Sequence, residues 1–310
     1  MLLGYAADLA FGDPRRFHPV SGFGQVAAAL ERRTYAPTRA RGVLHEAILV
    51  GGTLAVGLLA TRASRPLQTP LVAVTTWAVL GGRSLTREAH AMADLLESGD
   101  VAGARVRVRN LVGRDPSNLG PDDLARATVE SVAENGADAV VAPLFWGAVA
   151  GVPGLVTYRA INTLDAMVGH RTPRYAEFGW AAARLDDVAN WLPARLTVVG
   201  TALATGTPTG WKRVWRTVVR DAPQHPSPNA GPVEAAFAAA LGRSLGGTNT
   251  YDGVTEDRGR LGDAPPVTVA DVARAARLQT TIGAIALACL LVARCAARRG
   301  DPTRLIPTRV

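Results

Sequence analysis

The feature that most restricts how this chain can fold is its set of charge-free segments. Residues 47–61 (AILVGGTLAVGLLAT), 68–82 (QTPLVAVTTWAVLGG) and 280–293 (TTIGAIALACLLVA) carry no charged side chain. Each is near the short limit of the about 17–25 residues that a bilayer crossing takes, so flanking residues must contribute. The link between the first two holds Arg62, Arg65 and Pro66 and is too short for a domain, so the pair reads as a helical hairpin. Two further apolar stretches are interrupted: 139–156 (AVVAPLFWGAVAGVPGLV) contains Pro143, Pro153 and three glycines, and 196–206 (LTVVGTALATG) is short. Broken backbone is tolerated at membrane depth where protein or a wet cavity surrounds it, so these two read as buried or re-entrant helices, with full spans as the rival. The expectation is one membrane-embedded domain over residues 1–310, with these five stretches as its candidate membrane segments.

Composition agrees. Apolar residues make up 48% and charged residues 19% of the chain, against about a quarter charged in soluble domains. The net charge of +8 is almost entirely arginine, with Lys212 the only lysine. Arginine forks suit phosphates, carboxylates and lipid headgroups. No zinc finger, basic helix or aromatic-interleaved basic strand is present, so nucleic acid is not expected as a partner. The two cysteines, Cys289 and Cys295, cannot form a metal quartet or a disulfide framework. The start, MLLGYAADLAFGDP, contains Asp8 and lacks the basic region of a signal peptide, so it is expected to be retained. Arg294, Arg298 and Arg299 after the last apolar segment favour a cytoplasmic carboxyl terminus. Strand alternation is almost absent, and REAHAMADLLESGD and GPDDLARATVESVAENG have helical patterns. The fold class is therefore all-α, a polytopic membrane protein whose polar helical segments form the site.

The sharpest anomaly is VESVAENGADAVVAPLFW. Glu130, Glu134 and Asp138 recur every fourth residue, stacking like charges on one helical face. A solvated face is the ordinary explanation of such a stripe, but this one runs straight into apolar residues and would leave Asp138 near low dielectric. A divalent cation resolves the repulsion, since Mg²⁺ takes one or two carboxylates together with substrate phosphates. Three more groups of polar residues stand out. DLAFGDPRRFHPVSGFG sets Asp13 and His18 beside prolines that stiffen the backbone. In residues 158–196, Tyr158, Asn162 and Asp165 share one helical face, and Arg184, Asp186, Asp187 and Asn190 another, on otherwise apolar helices. HPSPNAGPVEAAFAAALG offers a helix amino terminus with Asn229 before it and Glu234 in its first turns, which is equally a plain capped helix.

FGDPRRFHPVSGFG, RNLVGRDPSNL, VESVAENGADAVVAPLFW, YRAINTLDAMVGHRTPRYAEFGW, AARLDDVANWLPARL and SPNAGPVEAAFAAALG, in this order, resemble the adenosylcobinamide-phosphate synthase family of cobalamin biosynthesis, from about residue 4 to residue 262. The resemblance implies an integral membrane enzyme, multi-pass in the cell membrane, with its site facing the cytoplasm. Its activity would join (R)-1-aminopropan-2-ol, or the O-phosphate, to the free propionate carboxylate of adenosylcobyric acid, consuming ATP with Mg²⁺ and passing through an acyl phosphate. On that reading Glu130, Glu134 and Asp138 hold Mg²⁺-ATP, and Asp165, Asp186 and Asp187 form a second carboxylate group, for metal or for the substrate ammonium. Arg114, Arg159, Arg184 and Arg195 neutralise phosphates, while Asn135, Asn162 and Asn229 orient them and Glu234 adds to substrate binding. Asp13 or His18 takes the proton of the attacking amine. No GxxxxGK[ST] loop exists, so nucleotide is held some other way. A homo-oligomer is left open. The alternative from another class is a transporter or other non-enzymatic membrane protein handling a corrinoid or another anionic metabolite, since broken helices and intramembrane polar groups serve transport equally. The lack of an internal repeat and the large polar segments weigh against it.

Overall fold

The computed structural model of the chain describes residues 1–13, 18–113, 115–170, 172–251 and 254–299. Helices dominate, in the order α1 Leu2–Phe11, α2 Pro19–Thr34, α3 Arg39–Ala60, α4 Arg65–Val79, α5 Gly82–Glu97, α6 Val101–Val108, α7 Pro121–Gly136, α8 Ala142–Val168, α9 Trp180–Ala204, α10 Pro208–Asp221, α11 Ala230–Leu241 and α12 Val269–Arg299. Their starts follow local chemistry. Pro19, Pro121 and Pro208 occupy first-turn positions, where the missing N–H costs nothing. Asp100 accepts from the Gly103 N–H at 2.8 Å to cap α6, and Thr207 accepts from the Gly210 N–H at 3.1 Å to cap α10.

Two regions with different surroundings result. In one, α5, α7, α11 and the first part of α12 enclose Met92, Leu124, Val132, Phe237 and Val272 in a core of the soluble kind. In the other, α3 packs on α8 and α4 on α1 and α8, while Ile48, Leu54, Val56, Leu58 and Leu59 of α3, Val74 of α4 and Val292 of α12 point outward. So many exposed aliphatic side chains on long helices require lipid. Among the described residues, Arg39–Ala60, Pro121–Val168 and Val269–Ala296 are long and apolar enough to cross a bilayer. The chain is an all-α polytopic membrane protein.

Segment 47–61 is the second part of α3, which ends at Ala60, and segment 280–293 lies inside α12. Segment 68–82 is mostly α4, which stops at Val79. Segment 196–206 is mostly the end of α9, which stops at Ala204, and there Val198 and Ala202 are covered by Val214 of α10 and by Ala236 and Ala239 of α11. Segment 139–156 reverses direction. Gly151 adopts φ 65°, ψ −140° inside α8, a backbone state open to glycine and strained for other residues. Beyond it the chain returns along itself: a Cβ built on Gly154 would fall 2.1 Å from the Trp146 carbonyl oxygen, so only glycine permits the two limbs to pack this closely. Arg294 of α12 donates to the carbonyls of Gly147 and Ala148 at 3.4 and 3.1 Å, satisfying the end of the first limb.

A two-stranded antiparallel hairpin, β1 Leu245–Tyr251 and β2 Val254–Leu261, interrupts the helices. It is the element that period-two patterning misses. Gly246, Gly247 and Gly259, all at positive φ, remove the side chains that would mark alternation, and the register slips between Gly246 and Thr248.

Candidate active site

The reversal at Gly151 brings the two flanks of a single stretch together. Immediately before α8 the helix widens into a π turn, Ala137–Val141, which carries Asp138; such turns shift the face that the following side chains present. Asp138 Oδ2 accepts from Asn162 Nδ2 at 3.2 Å, across 24 residues of sequence. The same amide donates to Asp186 Oδ1 of α9 at 3.4 Å, and Asn190 Nδ2 donates to Asp186 Oδ2 at 2.9 Å. The buried Tyr158 hydroxyl lies 2.8 Å from Asn190 Oδ1 and 3.2 Å from the Asp138 carbonyl oxygen. Two amides and a phenol thus hold two carboxylates in place. Glu134 and Asp165 add their fields to that of Asp138, and Asp165 lies one turn beyond Asn162 on α8. Asp186 lies outside the three stretches that are long and apolar enough to cross a bilayer. Burial, and then the charge of Asp165, push its carboxyl up to about 7 against the opposing donors Asn190 and Asn162.

A further acid reaches this group from α3. Glu46 is 5% exposed, neither of its oxygens meets a hydrogen-bond donor among the described residues, and Asp165 and Asp186 are its charged neighbours. Sequence reasoning passed over it although a signal existed: a carboxylate directly before a fifteen-residue uncharged run is costly in a membrane helix unless it has work or a partner there.

A second rim lies where the first loop meets α8. His18 Nδ1 accepts from the Val20 N–H at 3.2 Å, so the neutral ring carries its proton on Nε2, which lies 3.9 Å from Asp13 Oδ2. Asp13 Oδ1 has no hydrogen-bond partner among the described residues. Arg159 sits in the field of both Asp13 and Asp138. It lines, with His18, Ser21, Gln25, Thr163 and Met167, an open hollow of about 560 Å³. A guanidinium, an imidazole and a hydroxyl around one hollow suit an anionic ligand.

The other sequence candidates fall into three places. Arg184, Arg195, Asp187 and Asn229 form a neighbouring group: Arg184 pairs with Asp187 at 3.2 Å, Asn229 Nδ2 donates to the Asp187 carbonyl at 2.8 Å, and Arg195 donates to Asn229 Oδ1 at 2.9 Å. Asn135 is engaged within its own helix, donating to the Ser131 carbonyl and hydroxyl. Glu130 and Glu234 lie beneath the β-hairpin: Glu130 Oε1 accepts from the Gly246 N–H at 2.9 Å and pairs with Arg126 at 3.2 Å, while Glu234 lies 3.8 Å from His225 and 3.9 Å from Arg258. Glu130 is therefore separated from Asp138 by more than two helical turns, about 12 Å. Arg114 lies outside the described residues.

Among the described residues no three His, Cys, Asp or Glu side chains converge closely enough to hold a metal ion alone. What fits is a cation that arrives with its own oxygen ligands. Asp138 and Asp186, joined through one amide, offer the one or two carboxylates that Mg²⁺ takes when phosphates and water complete its shell.

Fold and site define a polytopic, all-α membrane protein with a buried carboxylate–amide centre beside an arginine-lined hollow. The chain belongs to the CobD/CbiB family: the model of that family, described as CobD/Cbib protein, matches residues 1–279. The chain is 51% identical over 301 residues to the cobalamin biosynthesis protein CobD of Mycobacterium tuberculosis, covering 95% of each chain. It is 46% identical over 281 residues to a protein of the same name from Chromobacterium violaceum, covering 87% of this chain and 88% of the relative. The corresponding Rhodobacter capsulatus protein is 44% identical over 286 residues, covering 88% and 90%. No solved structure matches.

Proposed function

We propose that this protein is an ATP-dependent amide ligase of cobalamin biosynthesis, joining (R)-1-aminopropan-2-ol or its O-phosphate to the free propionate carboxylate of adenosylcobyric acid. Its name-bearing relatives support the pathway, and one observation in this chain supports the chemistry: Asn162 draws Asp138 and Asp186 together beside Arg159. A carboxylate is a poor electrophile. Attack of its oxygen on the γ-phosphorus of ATP releases ADP and gives an acyl phosphate; attack of the amine nitrogen on the acyl carbon then expels inorganic phosphate. Such transfers depend on positioning and charge neutralisation more than on a protein nucleophile.

Mg²⁺, when bound, neutralises phosphate charge and orients the phosphoryl group, with Asp138, Asp186 and Glu134 as the residues that would hold it. Arg159 faces the phosphates from the hollow, and Arg184 and Arg195 extend the cationic surface. Asp165 and Asp187 meet the ammonium of the incoming amine. Asp13 takes a proton from the amine through Oδ1, with the His18 imidazole 3.9 Å from its other oxygen. Glu130 and Glu234 act at a distance by fixing the hairpin against α7 and α11. The site faces the cytoplasm, where ATP is available, and the bulky corrinoid lies along the bilayer surface as its side chain enters.

The test uses purified protein in detergent with adenosylcobyric acid, Mg²⁺-ATP and each amine in turn. Amide product with stoichiometric ADP is expected, and Glu134→Gln should abolish it while the protein remains folded. Uptake of a corrinoid by vesicles without product would contradict the reading.

A further inference from the structure

Helix α10, PTGWKRVWRTVVRD, takes no part in the site, and its surface is sorted into three strips. Val214, Thr217 and Asp221 are buried against the protein. At about 100° per residue, Trp211, Trp215 and Val219 fall within about 80° of one another on one flank, and Lys212, Arg216, Arg220 and Arg213 occupy roughly the next 100°. The apolar flank is not covered: Trp215 is 63% and Val219 62% exposed. Arg220 is engaged by Asp221 and Asp263. Lys212, Arg213 and Arg216 are exposed and form no ion pair among the described residues.

We propose that α10 lies in the plane of the membrane interface, its tryptophan flank among the upper acyl chains and its basic flank on anionic lipid headgroups. Three observations select lipid as the occupant. Tryptophan combines an apolar ring with an N–H donor and concentrates at the headgroup level. The cationic strip adjoins the apolar one along the whole helix, which matches a surface that is apolar beneath and negative above. The helix against which α10 packs, α9, also turns the apolar Leu192 and Val199 outward. Thr207 and Pro208 fix the helix start, and the Arg220–Asp221–Asp263 cluster fixes its end, so the strips are held at a set rotation. The inference is independent of the ligase reading.

The test is spin labelling of the full chain in nanodiscs of pure phosphatidylglycerol or pure phosphatidylcholine. The exposed Cys289 and Cys295 are replaced by Ser, and a label is placed through Val219→Cys, Trp215→Cys or Arg213→Cys. Labels at 215 and 219 should collide with oxygen and be shielded from a water-soluble nickel chelate, at a depth of roughly 5–10 Å, while the label at 213 should meet the chelate. The 219 label should sit deeper in phosphatidylglycerol than in phosphatidylcholine, and Lys212→Gln with Arg213→Gln and Arg216→Gln should erase that difference. Chelate access at all three positions would overturn the proposal in favour of an aqueous helix. Shielding of 215 and 219 from both reagents would overturn it in favour of a second copy of the chain. Equal depth in the two lipids would overturn the headgroup part. Two apolar positions are labelled so that poor folding of one variant leaves the other informative.

Discussion

Asn162 uses both amide hydrogens to span Asp138 and Asp186, so a single uncharged side chain sets the spacing of two acids that would otherwise repel. Asn162→Leu should lower kcat roughly 10²-fold, the scale of loss when reacting groups are misplaced by about 1 Å, with circular dichroism unchanged; undiminished turnover would remove the bridge from the account. Asp186, raised to about 7 by burial and by Asp165, gives a pH signature. Its unfolded value is about 3.9, so between about pH 4 and pH 7 the folded chain holds the extra proton. Its contribution to stability is therefore fully present below about pH 4 and lost as pH rises through about 7. The ligand-free protein should melt at a lower temperature at pH 8 than at pH 5, and Asp186→Asn should flatten that slope. Glu46 is the informative omission. Asp138, Asp165 and Asp186 stand out in sequence because they fall in polar motifs, whereas Glu46 sits at the edge of an apolar run, and only the packing of α3 on α8 and α9 turns it toward them.

At the scale of elements, Gly151 converts what would be one long apolar helix into two limbs that return the chain to its starting level. Gly151→Ala places a Cβ in a left-handed, extended state and should cost roughly 1–3 kcal/mol, read as a lower denaturation midpoint in detergent; a neutral change would mean that the turn does not require glycine. The two prolines and three glycines of segment 139–156 made an interruption legible, but not the close approach of Gly154 to Trp146, which depends on which face each limb presents. The hairpin was illegible for a different reason: its glycines erase alternation, and its anchor is a side chain from far upstream. Glu130 holds the Gly246 N–H and Arg126 together. Glu130→Ala would leave a buried donor unpaired at about 1–3 kcal/mol, and amide exchange across β1 and β2 should accelerate. Unchanged exchange would show that the hairpin is held elsewhere.

Across the whole molecule, the two kinds of packing meet at one level. The helices around the soluble-type core deliver Glu134 and Asp138, the lipid-facing α3 delivers Glu46, and α8 and α9 deliver Asn162, Asp165 and Asp186. The class of fold and the family are readable from charge-free segments and ordered motifs, because both are local in sequence. The grouping of acids is not, because it joins residues more than a hundred positions apart. Such a boundary suits a reaction between a corrinoid at the bilayer surface and a nucleotide from water. The central claim is that the carboxylate is activated by phosphoryl transfer at this acidic, arginine-flanked centre. Adenosylcobyric acid carrying ¹⁸O in both oxygens of its free propionate carboxylate, turned over with Mg²⁺-ATP and the amine, tests it most directly. The account predicts ADP and inorganic phosphate bearing one ¹⁸O atom for each amide formed; amide formed with unlabelled phosphate, or with the label in AMP, would contradict it.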